Sequence, residues 1–283
     1  MAADHRQRGN ADIELISIPT DTYPLDGLFY TPRHVPTRAA ALLFHGNCHN
    51  FYTGPSRFLP EILTAHGIAC LAFNRRGHDM VTSLDARDIG GGAFQIAAEA
   101  VADNRLAAAW LAGRGHHRPI LIGHSNGGVL AAQHCADHPD TPALVLLSAH
   151  CGGRAITTKL SARGMFGGDH LPELTAQARK MVEQGRGKDL MLLPGWWWVA
   201  SAESVLDYGQ NMPDTLANAA KIRCPVLYLC GDQEPEDIYP ARAFAALCGA
   251  SCEAHIIDDC NHFYTGHEAS VGAQVADWLR AVA

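Results

Sequence analysis

Several short runs of this chain are apolar from end to end, and they alternate with stretches of helical pattern. The runs are AALLF (40–44), IACLAF (68–73), PILIG (119–123), ALVLLSA (143–149) and PVLYLCG (225–231). A strand with no polar face has to be covered on both sides, which is the situation in a parallel sheet sandwiched between helices. Between the runs lie SRFLPEILTAHG (56–67), ending on the helix-stopping Gly67, then AFQIAAEAVADNRLAAAWLAGRG (93–115) and GGVLAAQHCADH (127–138). PARAFAALCG (240–249), the strand EAHIID (253–258) and the helix VGAQVADWLRAV (271–282) complete the alternation. The expected fold is therefore α/β, with a mostly parallel central sheet and helices on both faces. Near the start, IELISI (13–18) and LDGLFY (25–30) read as two further strands around a turn rich in Pro, Thr and Asp.

The alternation breaks between Gly152 and Ile222. This stretch holds a helical LPELTAQARKMVEQGRG (171–187) and then LPGWWWVASAESVLDY (193–208). An insertion of this length between two sheet strands reads as a cap or lid over a ligand site. The expected organisation is a core in two parts, 1–151 and 223–283, with a cap at 152–222. Trp196, Trp197 and Trp198 cannot all face one way on a helix. One or two belong in the cap core, and Trp196 and Trp198 are the candidates for contact with a substrate.

Composition excludes several classes of function. Apolar residues make up 47% of the 283 and charged residues 18%, enough to bury a large core. A net charge of −7 gives no electrostatic case for nucleic acid or an anionic membrane. No apolar run approaches the ~18–20 residues needed to span a bilayer. The polar start, MAADHRQRGN, lacks the apolar centre of a signal peptide. Nine scattered cysteines, odd in number and without a C-x-x-C pair, read as mostly reduced, buried thiols. The expected location is the cytoplasm, and the oligomeric state is left open.

Two of the apolar runs end in polar turns that carry glycine and histidine. At Gly123-His124-Ser125-Asn126-Gly127-Gly128 a strand enters and a helix leaves. So sharp a turn forces strained dihedrals on Ser125, and the flanking glycines clear side chains away from its hydroxyl. The serine occupies the place of the middle glycine in a dinucleotide-binding G-x-G-x-x-G, which argues against that loop. The helix N-terminus adds positive potential where an oxyanion forms. That oxyanion needs two donors: the backbone N–H of Asn126, and the backbone N–H of Asn47 in the turn His45-Gly46-Asn47-Cys48. No H-E-x-x-H and no set of three ligands makes a metal reading of His45 and His49. No metal and no cofactor is expected.

A serine hydroxyl needs a base. DDCNHFYTGHE supplies His262 after the last strand, with aromatic residues following that pack its ring; His267 is placed for the start of the final helix instead. The third member is a carboxylate after PVLYLCG, from among Asp232, Glu234, Glu236 and Asp237.

With His45-Gly46, the NRRGH loop (74–78), Gly-His-Ser-Asn-Gly, Gly231 with its downstream acid, and His262, the sequence resembles the α/β-hydrolase superfamily over nearly its whole length. The resemblance implies an acid three residues after the strand-ending glycine, usually Asp, a place filled here by Glu234. Asp232 is its competitor. Glu234 stands further along the loop, ahead of the stiffening Pro235, and its longer side chain extends toward the loop of His262. The resemblance also implies that the Arg75-Arg76-Gly77 loop borders the site, although arginine hydrogen bonds make a structural turn an equal reading. The expected activity is hydrolysis of a small-molecule carboxylic ester, thioester or lactone through an acyl-enzyme on Ser125, His262 and Glu234. An acyltransferase or C–C bond hydrolase with the same residues, or a ligand-binding protein on the same fold, stands as the alternative.

Overall fold

In a computed structural model the chain is described over residues 9–83, 88–195 and 198–282. Eight strands form the central sheet: β1 (Ala11–Ile18), β2 (Leu25–Pro32), β3 (Ala39–Phe44), β4 (Ile68–Phe73), β5 (Ile120–His124), β6 (Leu144–Leu147), β7 (Val226–Gly231) and β8 (Cys252–Ile257). Their order in space is β1-β2-β4-β3-β5-β6-β7-β8. From β4 to β8 every pairing is parallel, while β1–β2 and β2–β4 are antiparallel. The fully apolar runs take the central places and are buried throughout. The edge strand β8 alternates between half-buried and exposed positions, as an outer strand with one wet face must.

Successive side chains of one strand point to opposite faces. Leu42, Phe44 and Leu121 therefore meet α2 (Ala97–Gly113), α3 (Asn126–Asp137) and α8 (Ala241–Leu247) on one side. Leu43, Ile120 and Ile122 meet α1 (Pro55–Ala65) and α9 (Glu268–Val282) on the other. Gly67, just past α1, takes the left-handed conformation that ends the helix.

The 152–222 stretch contains the helices α4 (Ile156–Ser161), α5 (Leu171–Glu183), α6 (Ala202–Gln210) and α7 (Thr215–Ala219), together with a hairpin of Leu190–Leu193 and Trp198–Ser201. It carries an apolar cluster of its own, built from Ile156, Phe166, Met181, Leu193 and Val205, which Val129 of α3 and Ile238 join. Trp198 thus opens a strand of that hairpin. Trp196 and the side chain of Trp198 lie outside the described residues. Among the described residues no helix is long and apolar enough to cross a membrane.

Packing is close where α3 leaves β5. A Cβ on Gly127 would run into the backbone carbonyls of Phe44 and His45, and one on Gly123 into that of Gly127. Gly113, at the end of α2, has nothing within 4 Å of such an atom. Gly127→Ala should therefore destabilise by about 1–3 kcal/mol or more. Gly113→Ala should stabilise by about 0.5–1 kcal/mol. Denaturant titration of both variants checks the contrast; equal effects would refute it.

Several of the 16 histidines are buried in the fold. Burial pushes the imidazoles of His49 and His134 down to about 4 and that of His150 to about 3; those of His45 and His124 lie well below 6.5. These rings stay neutral in the fold, while the unfolded chain takes up protons near 6.5. Stability should thus begin to fall as the pH drops through 6.5, continue falling toward 4, and give an acid transition above the carboxylate range. A thermal midpoint flat from pH 7 to pH 5 would contradict this.

Candidate active site

Every loop that carries a candidate residue leaves the same, carboxyl-terminal edge of the parallel strands, where α/β sheets place their ligands. Ser125 follows β5 directly and is the N-cap of α3, at φ 55° and ψ −123°. That left-handed backbone is costly for a residue with a Cβ and is held by the surrounding packing. The serine N–H donates to Leu147 O at 2.9 Å, and its carbonyl accepts from Gly128 and Val129. As the first helical residue, Asn126 has a backbone N–H with no acceptor inside the helix. The Asn47 turn closes with His49 N–H donating to Gly46 O at 3.3 Å and with Cys48 at φ 53°. It lies against the elbow: a Cβ on Gly46 would stand 3.2 Å from Ser125 Cβ.

His45 and the arginine loop hold that turn from behind. The Arg75 backbone N–H donates to His45 Nε2 at 3.1 Å, and Arg75 Nη2 donates to His45 O at 2.6 Å. His45 Nδ1 then carries the proton and donates to Gly46 O at 2.8 Å. Arg76 donates from Nε and its backbone N–H to the two oxygens of the buried Asp103. The loop supports the site from within the core, which is the structural turn weighed above.

Among the four acids after β7, the structure puts Glu234 beside His262, with His262 Nδ1 donating to Glu234 Oε1 at 2.6 Å. Glu234 Oε2 accepts from Ser148 Oγ at 2.6 Å, from the Gly231 N–H at 2.8 Å and from Cys230 Sγ at 3.2 Å. The side chain is only 3% exposed. Burial pushes its pKa up, but the hydrogen bonds from His262, Ser148 and Gly231 outweigh burial and leave it below the ordinary value. Each such bond to a charged oxygen contributes about 1.5–3 kcal/mol, so three offset the desolvation. Asp232 does something else: its Oδ1 accepts from the Cys260 N–H at 3.1 Å and pins the loop that leads to His262.

His262 is seated among rings. Phe263 meets it edge-on at 5.0 Å, His124 lies at 4.8 Å and Tyr239 at 5.1 Å between centroids. His124 Nε2 donates to the His262 carbonyl at 2.8 Å, tying the base loop to the elbow. His267 takes no part: its N–H donates to Tyr264 O just ahead of α9.

Ser125, His262 and Asn47 line one cavity of about 260 Å3. Its other walls are mostly apolar and aromatic, including Ile156 and Leu160 from the 152–222 stretch and Tyr239 and Phe263 from the core. Three residues escaped the sequence reading. Ser148, at φ 46°, orients the acid. Because the Ser148 proton is given to Glu234, Tyr264 OH is the donor to Ser148 Oγ at 2.7 Å, and it also lies 3.0 Å from Leu229 O. His150 lines the cavity. Only the aromatic pair after His262 gave any signal, and it did not separate the ring-packing Phe263 from the network-forming Tyr264.

Comparison with known proteins fits this architecture. Est1E from Butyrivibrio proteoclasticus, in its structure with bound ferulic acid, superposes with a TM-score of 0.71 at 20% identity, covering 94% of this chain and 98% of that one. A thermostable carboxyl esterase from Bacillus coagulans superposes with a TM-score of 0.69 at 14% identity, covering 95% and 98%. A dienelactone hydrolase from Anabaena variabilis gives 0.60 at 16% identity, covering 96% and 99%. No curated protein sequence matches the chain. The family model described as "Alpha/beta hydrolase family" matches residues 41–278, and the chain belongs to that family.

Proposed function

We propose that the protein is a serine hydrolase of carboxylic esters, thioesters or lactones, with Ser125 as nucleophile, His262 as base and Glu234 as the orienting acid. The observation that carries the reading is the 2.6 Å bond from His262 to a buried Glu234 beside the same cavity that Ser125 faces. The esterases and the lactone hydrolase of similar fold support it by analogy.

His262 takes the proton of Ser125 Oγ as that oxygen bonds to the acyl carbon. The charge on the carbonyl oxygen falls to the N–H groups of Asn47 and Asn126. The C–O bond to the alcohol breaks, and the alcohol leaves with the proton from His262. Water then gives a proton to His262 and attacks the acyl-enzyme; the acid leaves, and the proton returns to Ser125. Glu234 keeps the proton of the neutral ring on Nδ1, so that Nε2 is the basic nitrogen. It also stabilises the imidazolium formed in each half-reaction. The 152–222 stretch acts as the cap, because Ile156 and Leu160 complete the cavity wall.

Ser125→Ala should fold normally and lose at least about 10³-fold in kcat, since the covalent route disappears. An alkyl fluorophosphonate should label wild-type Ser125 and leave the variant unlabelled. More than about a tenth of wild-type kcat in the variant sinks the assignment.

The two acids separate cleanly. Glu234→Ala should lower kcat by about 10³–10⁴-fold, and Glu234→Asp should retain part of the activity. Asp232→Ala should cost about 1 kcal/mol of stability through the lost Cys260 bond and change kcat less than about tenfold. The reverse ranking in steady-state kinetics would move the acid to Asp232.

A further inference from the structure

We propose that His150 is a specificity residue: its Nε2–H hydrogen-bonds an uncharged oxygen, of an ether, carbonyl or hydroxyl, carried by the acyl or alcohol group that fills the Ser125 cavity. This rests on the esterase reading above and names the substrate class within it.

His150 stands three residues beyond β6, between the strands that deliver Ser125 and Glu234. Its ring lines the cavity with Ser125 and His262, and the residue is 5% exposed. The Gly152 backbone N–H donates to His150 Nδ1 at 3.1 Å. With that lone pair occupied, the neutral ring carries its proton on Nε2. The ring is neutral because burial, and then the nearby His262, push its pKa down to about 3.

Among the described residues, Nε2 is buried and has no hydrogen-bond partner. Folded proteins seldom leave such a donor unmatched. The Gly152 bond orients the ring, and the main chain that carries it is held as well. Thr215 Oγ1 donates to the His150 carbonyl at 2.7 Å. Its neighbour Cys151 is held on both sides, donating to Ile238 O at 2.7 Å and accepting from Thr215 N–H at 2.9 Å. A held main chain, a single tautomer and an unused donor on a residue that lines the cavity are the features of a recognition group.

The surroundings define what it recognises. Ile156, Leu160, Met165 and Ile238 line the same cavity, and the Tyr208 ring lies 6.5 Å from that of His150, so the body of the ligand is apolar too. A neutral imidazole offers no charge to balance a carboxylate or phosphate, which would be buried unpaired at high cost. An ammonium has no lone pair to accept the proton. The remaining partner is an uncharged oxygen. In the proposed reaction Ser125, His262 and the two oxyanion amides are committed to the reacting carboxyl group, so His150 reads a more remote atom.

Two series of isosteric esters test this. In the first, p-nitrophenyl alkanoates have one methylene of the acyl chain replaced by oxygen at each position in turn. In the second, alkyl acetates carry the same replacement along the alcohol. Wild type, His150→Phe and His150→Gln are compared by the kcat/KM ratio of each oxygen-containing ester to its all-carbon parent. Dividing the wild-type ratio by the variant ratio cancels intrinsic reactivity. At one position in one series this quotient should be about tenfold to a hundredfold for His150→Phe, with partial recovery in His150→Gln, which keeps an N–H donor. The series that responds identifies the acyl or the alcohol side. A merely structural role lowers all esters alike and leaves the quotient at one. Quotients of one at every position in both series, with Ser125 labelled by fluorophosphonate in all three proteins, overturn the proposal. Absence of labelling and of turnover in wild type instead overturns the esterase reading beneath it. If His150→Phe fails to fold, His150→Leu takes its place.

Discussion

The constraint on which the site depends is the absence of space between β5 and α3. Gly123 and Gly127 touch backbone directly, and Gly128 has Ala149 Cβ where its own side chain would begin. The helix therefore rises immediately beyond the strand, and Ser125 at the junction has only the left-handed conformation open to it. A residue with a Cβ pays for that conformation in energy, and the packing of α3 on β3 and β6 supplies it. The same crowding places the Gly46 turn within van der Waals distance of the elbow, so the candidate oxyanion donors and the candidate nucleophile share one rigid corner.

Rigidity at that corner would be wasted if the loops of His262 and Glu234 moved independently. They are joined through side chains that have no role in the proposed reaction. Tyr264 follows His262 by two positions, yet its hydroxyl reaches Ser148 Oγ after β6 and Leu229 O on β7. Ser148 in turn donates to Glu234. Loops from three neighbouring strands thus close on one hydrogen-bond chain. Four of the residues at or beside the site, Cys48, Ser125, Ser148 and Tyr264, have positive φ without being glycine. Such strain concentrates where geometry is held against local preference.

What the sequence made legible follows from the range of the interactions. Ser125 and His262 were readable because the strand, the turn and the residue are consecutive. Glu234 was readable only as a place in a loop, and its contact with His262 spans 28 residues. Ser148 and Tyr264 were not readable. Ser148 reaches Glu234 across 86 residues and Tyr264 across 116, and neither leaves a local pattern. The parallel centre of the sheet was visible in the unbroken apolar runs. The pairing of β2 with β4 in place of β3 was not, because crossover order depends on contacts that no window contains.

A glutamate at position 234 has a physical use here. Its two oxygens face different tasks. Oε1 is given wholly to His262, while Oε2 collects the donors of Ser148, Gly231 and Cys230. A shorter side chain at the same point of the loop would hold both oxygens nearer the backbone and further from the imidazole. The hydrogen bonds also explain why a carboxylate so deeply buried stays ionised: Ser148, Gly231 and Cys230 stabilise the charge on the oxygen that does not bond His262. In the proposed reaction the bond to His262 then strengthens and weakens as the imidazole gains and loses its proton, without the acid leaving its seat.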